Sequence, residues 1–209
     1  MSAAEAVDFG GLRISFDHRV LRPRSWTAAQ SHWASDLLRT APAGHVLELC
    51  TGAGQLGLLA VAGTDRRLVA VDVSPAAVSL ARANAEAAGL AEQVEIRQGN
   101  LDETLDPDEQ FAVIIADPPW VSRADVARYP EDPVLAIDGG THGLDLALRC
   151  LDVIEHHLAD GGSAVLQLGT LAQVARVQAS VSAATHLRVV EHREFPDHGV
   201  LVRIDRSSG

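Results

Sequence analysis

Short apolar runs of strand type alternate with helix-type segments along most of this chain. His45 to Cys50 precedes a helical stretch at about 55–62, and Leu68 to Asp72 precedes another at about 75–88. Val94 to Gln98 and Phe111 to Ala116 follow. A helical segment at about 143–158 then leads into Ser163 to Leu168 and a last helix at about 171–183. A crossover helix carries the chain back to the starting end of the sheet, so neighbouring strands become parallel. The pattern changes after the last helix: His186 to His192 and Gly199 to Asp205 are joined by Phe195-Pro196-Asp197-His198, with no helix between them. That spacing predicts an antiparallel hairpin on the sheet edge. The expected class is α/β: a Rossmann-like, doubly wound, seven-stranded sheet, mostly parallel with a C-terminal antiparallel hairpin. Ahead of it, Thr27 to Arg39 reads as an amphipathic helix that covers part of the site, with Trp33 and Leu37 at helical spacing and Ser25 or Thr27 as its cap.

Composition narrows the chemistry. The 209 residues, 47% of them apolar, suit one globular domain. No run approaches the roughly 18 apolar residues of a membrane span, and Met1-Ser2-Ala3-Ala4-Glu5 lacks the regions of a signal peptide, so a cytoplasmic protein is expected, with no membrane partner. Seventeen basic against 28 acidic residues give a net charge of −11, which disfavours nucleic acid as a partner. A local strip of Arg13, Arg19, Arg22 and Arg24 is the exception that would contact phosphates. Every basic residue is Arg, and a chain without Lys has no Schiff-base lysine and no Walker-type phosphate lysine. Only Cys50 and Cys150 are present, too few for a disulfide framework or a cysteine zinc site. They are expected to be reduced and buried. The nine histidines show no ligand spacing, and no metal is expected.

Glu48-Leu49-Cys50-Thr51-Gly52-Ala53-Gly54 follows a strand and opens a helix. Small residues there let the backbone turn sharply and approach a ligand beside a helix N-terminus, and a nucleotide-like cofactor suits such a place. The glycines alone, Gly52, Gly54 and Gly57, are a common pattern. Asp72 adds weight: it ends the second strand, 18 positions after Gly54, where α/β sheets set a carboxylate on ribose hydroxyls. The other reading of these features is a tight turn plus a helix-capping Asp. Glu48 is expected either to bond within the loop or simply to satisfy the strand end.

The choice between a dinucleotide and S-adenosylmethionine rests on Phe111 to Ala116, which runs into Asp117-Pro118-Pro119-Trp120. Two prolines in a row donate no backbone hydrogen bonds and fix an extended turn whose carbonyls serve as acceptors. Asp117 adds a side-chain acceptor, and Trp120 offers a flat apolar face. Together they describe a holder for the NH2 group of a planar acceptor. An ordinary strand-ending turn with a core tryptophan is the plainer alternative.

These residues resemble the class I S-adenosylmethionine-dependent methyltransferases of the branch with an N/D-P-P-Y/F/W motif, and most of all the HemK/PrmC-type protein-glutamine N5-methyltransferases. The resemblance covers about residues 20 to 205. Leu21 to Thr27 is similar to the family's P-R-x-x-T element, and Ala136 to Leu144 to its A-L-x-G-G-x-D-G-L element. It implies a segment at 1–40 with a covering helix and a methyltransferase domain at 41–209. It also implies that Glu48, Cys50, Thr51, Gly52, Ala53, Gly54, Asp72, Val73, Asn100, Leu101 and Asp117 bind S-adenosyl-L-methionine. Asp117, Pro118, Pro119 and Trp120 would be the catalytic residues. Asp117 and the Pro118 carbonyl would hold the acceptor nitrogen, with Trp120 packed on it. The implied reaction is methylation of a protein glutamine side-chain amide. Cys50 stands where a glycine is usual, which suggests a position without positive φ. Asn100 stands in place of a frequent acid, His142 in place of Asp, and Asp117 in place of the Asn usual in the glutamine group. The family's separate N-terminal helical domain is expected to be missing.

Methyl transfer from a sulfonium is an in-line displacement, so catalysis is chiefly alignment. Acceptors on the N–H groups of an amide or aromatic amine turn its lone pair toward the methyl. Between Ala91 and Asp138 stand 12 acids and 3 arginines, a net of −9; solvated loop accounts for most such runs, and a cationic peptide or amine substrate is the other reading. An exocyclic amino group of adenine or guanine, a small-molecule or peptide amine, and a non-catalytic partner subunit remain as alternatives.

Overall fold

The computed structural model describes residues 5–184 and 186–206; the sequence reading of Met1–Ala4 as no signal peptide lies outside them. The described chain opens on a β-hairpin that the sequence reading missed: β1 (Glu5–Phe9) and β2 (Leu12–Phe16) pair antiparallel about Gly10-Gly11. Both glycines have positive φ, 60° and 91°, as a two-residue hairpin turn demands. The signal was present, since Phe9, Ile14 and Phe16 alternate with polar residues on either side of Gly-Gly and are buried. The helix expected from Thr27 forms as α1 (Ala28–Leu38), burying Trp33 and Leu37. Neither proposed cap bonds to the helix. Thr27 Oγ1 instead donates to the Arg24 carbonyl at 2.8 Å, tightening the turn that enters it.

The main sheet begins with β3 (His45–Leu49), α2 (Gln55–Val61), β4 (Leu68–Asp72), α3 (Pro75–Ala87), β5 (Val94–Gln98) and β6 (Phe111–Ala116). It continues through the short α4 (Val134–Ile137), α5 (Asp145–His157), β7 (Leu158–Leu168), α6 (Leu171–Ala184), β8 (Leu187–Phe195) and β9 (Gly199–Arg206). The strand order is β5-β4-β3-β6-β7-β9-β8, with β3 to β7 parallel and β9 antiparallel to both neighbours. This is the Rossmann-like seven-stranded sheet expected from the alternation, with its antiparallel pair at one edge. β7 starts earlier than Ser163 because its first residues pair with β6 across an irregular register: Leu158 faces Phe111 and Ser163 faces Val113.

Both sheet faces are covered, which is why the central strands read as unbroken apolar runs rather than alternating ones. All six residues of β6 are buried. One face packs against α1, α2, α3 and the N-terminal hairpin through Val46, Val113 and Ile115; the other packs against α5 and α6 through Leu47, Leu49 and Ile114. Among the described residues no helix is long and apolar enough to cross a membrane.

Asn84 ties the hairpin to the rest. From the buried face of α3 its side chain accepts from Ser15 N at 2.8 Å and donates to Ser15 O at 2.9 Å and to Ala53 O at 2.8 Å. One amide thus fastens β2 and the loop after β3 to the same helix. Asn84→Ala would strand three backbone groups. It is expected to lower the unfolding free energy by about 2–4 kcal/mol in urea titrations, against under about 1 kcal/mol for an exposed residue of the same helix such as Glu86→Ala.

Candidate active site

β3 and β6 lie side by side, and the chain leaves them toward opposite edges of the sheet. The crevice at their carboxyl ends is therefore the switch point where open α/β sheets bind ligands. Three segments meet there: the loop Cys50 to Gly54 after β3, Asp72 at the end of β4, and Asp117 to Trp120 after β6.

The first loop is held by its neighbours. Thr51 N donates to Val71 O at 3.1 Å, Gly54 N to Thr51 O at 2.8 Å, and Gly52 N to Asp72 Oδ2 at 2.8 Å. Asp72 Oδ1 accepts from Ser74 N at 2.9 Å, and Ser74 caps α3 with Pro75 behind it. The cap of α3 is therefore Ser74 and not this Asp, which holds the cap residue's own N–H and lines the cavity described below. Gly54 has φ 86°, and a Cβ there would meet the Ala81 Cα at 3.3 Å.

Cys50 overturns its sequence reading. Its φ is +61°, so this position does require the left-handed conformation that glycine takes at no cost. The strain, about 1–2 kcal/mol for an L side chain, is tolerated because the bonds of Thr51 and Gly52 fix the turn and the side chain packs among apolar residues on the α5 side. Contact with Cys150, followed by burial, pushes the Cys50 thiol well above its usual range, the state of a packing residue rather than a nucleophile.

Glu48 is buried at the end of β3, where its Oε2 accepts from Thr51 Oγ1 and its Oε1 has no partner among the described residues. Its contact with Gly57 is so close that a Cβ there would stand 2.5 Å from Oε2. Burial pushes its pKa up to about 8, the bonds from Thr51 and Gly57 pull the other way, and Asp117 and Asp72 add repulsion.

Two cavities open on these segments. The larger, about 340 Å³, is bounded by Cys50, Thr51, Gly52, Asp72, Val73, Asn100, Leu101, Asp117 and Pro119, a size in the range of roughly 300–1,000 Å³ typical of cofactor sites. A Cβ at Gly52 would project into open space, so the bare backbone faces a prospective ligand. Glu48, Ala53 and Gly54 do not line this cavity; they shape the loop from behind. The smaller cavity, about 50 Å³, lies beyond Asp117 and is walled by Arg24, Trp26, Pro118, Trp120, Tyr129 and Gln167 among others. Asp117 and Gln55 line both and stand at the junction. Burial pushes the Asp117 pKa up to about 7, with the Arg24 charge opposing.

The diproline corner is braced from outside by the segment after it. Val121 N bonds Ile137 O at 3.0 Å and Gly139 N bonds Val121 O at 2.9 Å, so Ala136 to Leu144 wraps the turn. A Cβ at Gly139 would stand 2.6 Å from Pro119 O, and one at Gly143 would collide with Trp120 O. Gln173 on α6 donates to Trp120 O at 2.9 Å and to Gly143 O at 3.1 Å. The Trp120 ring lies against Gly169, which has room for it only as glycine. Arg24 closes the outer side through an ion pair to Asp132 at 2.7 Å. It is the turn Leu21 to Thr27, rather than α1 itself, that lines the site.

Residues 31–129 match the family model described as the methyltransferase small domain. The chain carries a methyltransferase small domain. It is 37% identical over 169 residues to the ribosomal protein uL3 glutamine methyltransferase of Bordetella pertussis, covering 76% of this chain and 55% of that protein. To the release factor glutamine methyltransferase of Deinococcus radiodurans it is 38% identical over 167 residues, covering 78% and 59%. The chain spans a little over half the length of these relatives. Among solved structures, the hMettl16 catalytic domain in complex with MAT2A 3'UTR hairpin 1 superposes with a TM-score of 0.74 at 15% identity, covering 95% of this chain and 75% of that one, a likeness of fold.

Three of the four arginines of the expected phosphate strip pair with acids. Arg19 pairs with Asp17 at 2.6 Å, Arg22 with Glu5 at 3.3 Å and Arg24 with Asp132 at 2.7 Å. Sequence reasoning missed Gln55 and Gln167 because neither belongs to a motif; their places follow only from the topology.

Proposed function

We propose that this protein is an S-adenosylmethionine-dependent N-methyltransferase whose acceptor is a glutamine side-chain amide of a protein. The observation that carries the reading is Asp117 at the junction of a cofactor-sized cavity and a narrow one. By the measure in which a water needs about 10–15 Å³, 50 Å³ holds about three to five such positions. A carboxamide tip fits that space. The relatives at 37% and 38% identity, both named as glutamine methyltransferases, support the same acceptor.

S-adenosylmethionine, when bound, supplies an electrophilic methyl on a cationic sulfonium. The chain's own residues do the rest. Asp72 offers its carboxylate to the ribose hydroxyls, Asn100 borders the adenine, and Val73 and Leu101 give it apolar walls. Asp72 and Asp117 lie close enough to Glu48 to raise its pKa, and that concentration of acid suits a cationic donor. Asp117 accepts an N–H of the acceptor beside the Pro118 carbonyl and turns the nitrogen lone pair toward the methyl. Trp120 and the Arg24–Asp132 pair limit the approach of water.

The test is transfer of labelled methyl from S-adenosylmethionine into a cell extract. Label is expected to vanish on protease treatment and survive nuclease, and mass mapping is expected to place the added methyl on a glutamine nitrogen. Label removed by nuclease instead would overturn the reading.

A further inference from the structure

Two prolines leave the corner after β6 without N–H donors, so its far end must be held from outside. Much of that hold is one side chain. Gln173, buried in the first turn of α6, donates through its amide nitrogen to Trp120 O at 2.9 Å, Gly143 O at 3.1 Å and His142 O at 3.2 Å. Its amide oxygen accepts from Gly169 N at 2.8 Å and from Thr170 N at 3.2 Å. Both ends of the amide are thus fully used.

The two ends do different things. Thr170 Oγ1 accepts from Gln173 N at 3.2 Å while Gln173 Oε1 accepts from Thr170 N, which is a capping box at the start of α6. Glutamate serves a capping box as well as glutamine does, so the helix requires only the oxygen. The nitrogen reaches instead the residue that closes the diproline corner and the loop wrapped around it. That loop leaves room for it: Gly143 has φ 69°, and a Cβ there would stand 2.5 Å from Gln173 Nε2. Gly169, bonded to the same amide's oxygen, is the surface on which the Trp120 ring rests, and a Cβ there would collide with the ring. One amide therefore locates both the backbone and the ring of Trp120.

We propose that Gln173 is a positioning residue for methyl transfer. Its Nε2 fixes Trp120 and, through the restricted backbone of two prolines, sets the Pro118 carbonyl and Asp117 at the angle that holds the acceptor nitrogen. Gln173 lines neither cavity and acts only through the corner. The assignment rests on the reading of Asp117 and Pro118 given above.

The experiment measures initial rates with the full chain, labelled S-adenosylmethionine and serial dilutions of cell extract, which give a maximal rate and a half-saturation point. Gln173→Glu keeps the capping oxygen and loses the N–H donors. Gln173→Met is uncharged and of similar length, and loses both. Thr170→Val loses the cap hydroxyl and leaves the amide nitrogen in place. Both Gln173 variants are expected to lower the maximal rate about 30-fold or more, with half-saturation within about threefold of wild type, because a displacement near 1 Å misaligns the reacting atoms. Thr170→Val is expected to lower the melting temperature by about 2–4 °C and keep the rate within about twofold. S-adenosylhomocysteine binding by calorimetry should stay at wild-type strength in all three, which also reports folding. A wild-type rate in folded Gln173→Glu or Gln173→Met overturns the assignment. So does an equal loss of rate in Thr170→Val, which would leave Gln173 as a helix cap alone. Label on nucleic acid instead of protein overturns the glutamine reading by itself, since the comparison of variants reads the same on either acceptor.

Discussion

Asp117→Ala is expected to reduce kcat by about 10²- to 10³-fold while S-adenosylhomocysteine binds within about twofold of wild type. The size follows from what the side chain does at the junction of the two cavities. An amide nitrogen is a weak nucleophile whose lone pair is spread over the carbonyl, and an acceptor on its N–H is needed in the transition state more than in the ground state. On the proposed reading Asp72 and the loop after β3 supply most of the polar lining of the donor cavity, so donor affinity is expected to be spared. Unchanged turnover in Asp117→Ala would refute the assignment. Loss of donor binding would place the residue in the wrong cavity.

The same carboxyl predicts a pH profile. Burial raises the Asp117 pKa to about 7, so near neutrality a substantial fraction is protonated and spends one oxygen as O–H. Accepting from the substrate requires the carboxylate. kcat/KM is expected to fall about tenfold per unit below pH 7 and to level off above it. In Asp117→Asn the amide oxygen accepts at every pH, and the acid limb should flatten. Arg24, across the cavity, pulls the Asp117 pKa down. Removing its charge in Arg24→Gln should move the limb to higher pH, a shift read from the same profiles.

What could be read from the chain and what could not divides along one physical line. β6 was legible to the residue because a strand buried on both faces must be apolar throughout, and Phe111 to Ala116 is. The diproline turn and the Gly-rich loop were legible because their residue types carry their backbone geometry with them. The glycines of Ala136 to Leu144 were legible as a resemblance, but their reason, close approach to Pro119 and Trp120, appears only with the fold. Cys50 misled because a side chain was taken as proof of negative φ, and the price of the left-handed turn is met by hydrogen bonds from residues that follow it. The N-terminal hairpin carries its charged residues Glu5, Asp8 and Arg13 at exposed positions and Phe9, Ile14 and Phe16 at buried ones, a short alternation that shows plainly only once the two strands are paired. Trp26, Gln55 and Gln167 are distant in sequence, and no local pattern announces that they will line one cavity.

Glu48→Gln is expected to make the protein more stable than wild type at pH 8 by about 4–5 kcal/mol, and by only about 1 kcal/mol at pH 5. An exposed Glu titrates near about 4.3, whereas burial raises Glu48 to about 8 in the folded state. Between those values the folded chain holds a proton that the unfolded chain has lost. The unfolded state then binds fewer protons, so stability falls as pH rises through this window, and above about pH 8 the full cost has been incurred. Asp117 and Asp72, both raised by burial, add to the same slope. Glutamine keeps an oxygen for Thr51 Oγ1 and Gly57 N but has no charge to desolvate, which removes the Glu48 share of the slope and leaves the other two. Urea titrations of the ligand-free protein at pH 5 and pH 8 measure the difference. If wild type and Glu48→Gln lose stability in parallel over that interval, Glu48 is not a proton-holding carboxyl in the fold. If the variant is stabilised as expected yet binds S-adenosylhomocysteine normally, the buried acid serves to shape the loop from behind and not to contact the donor.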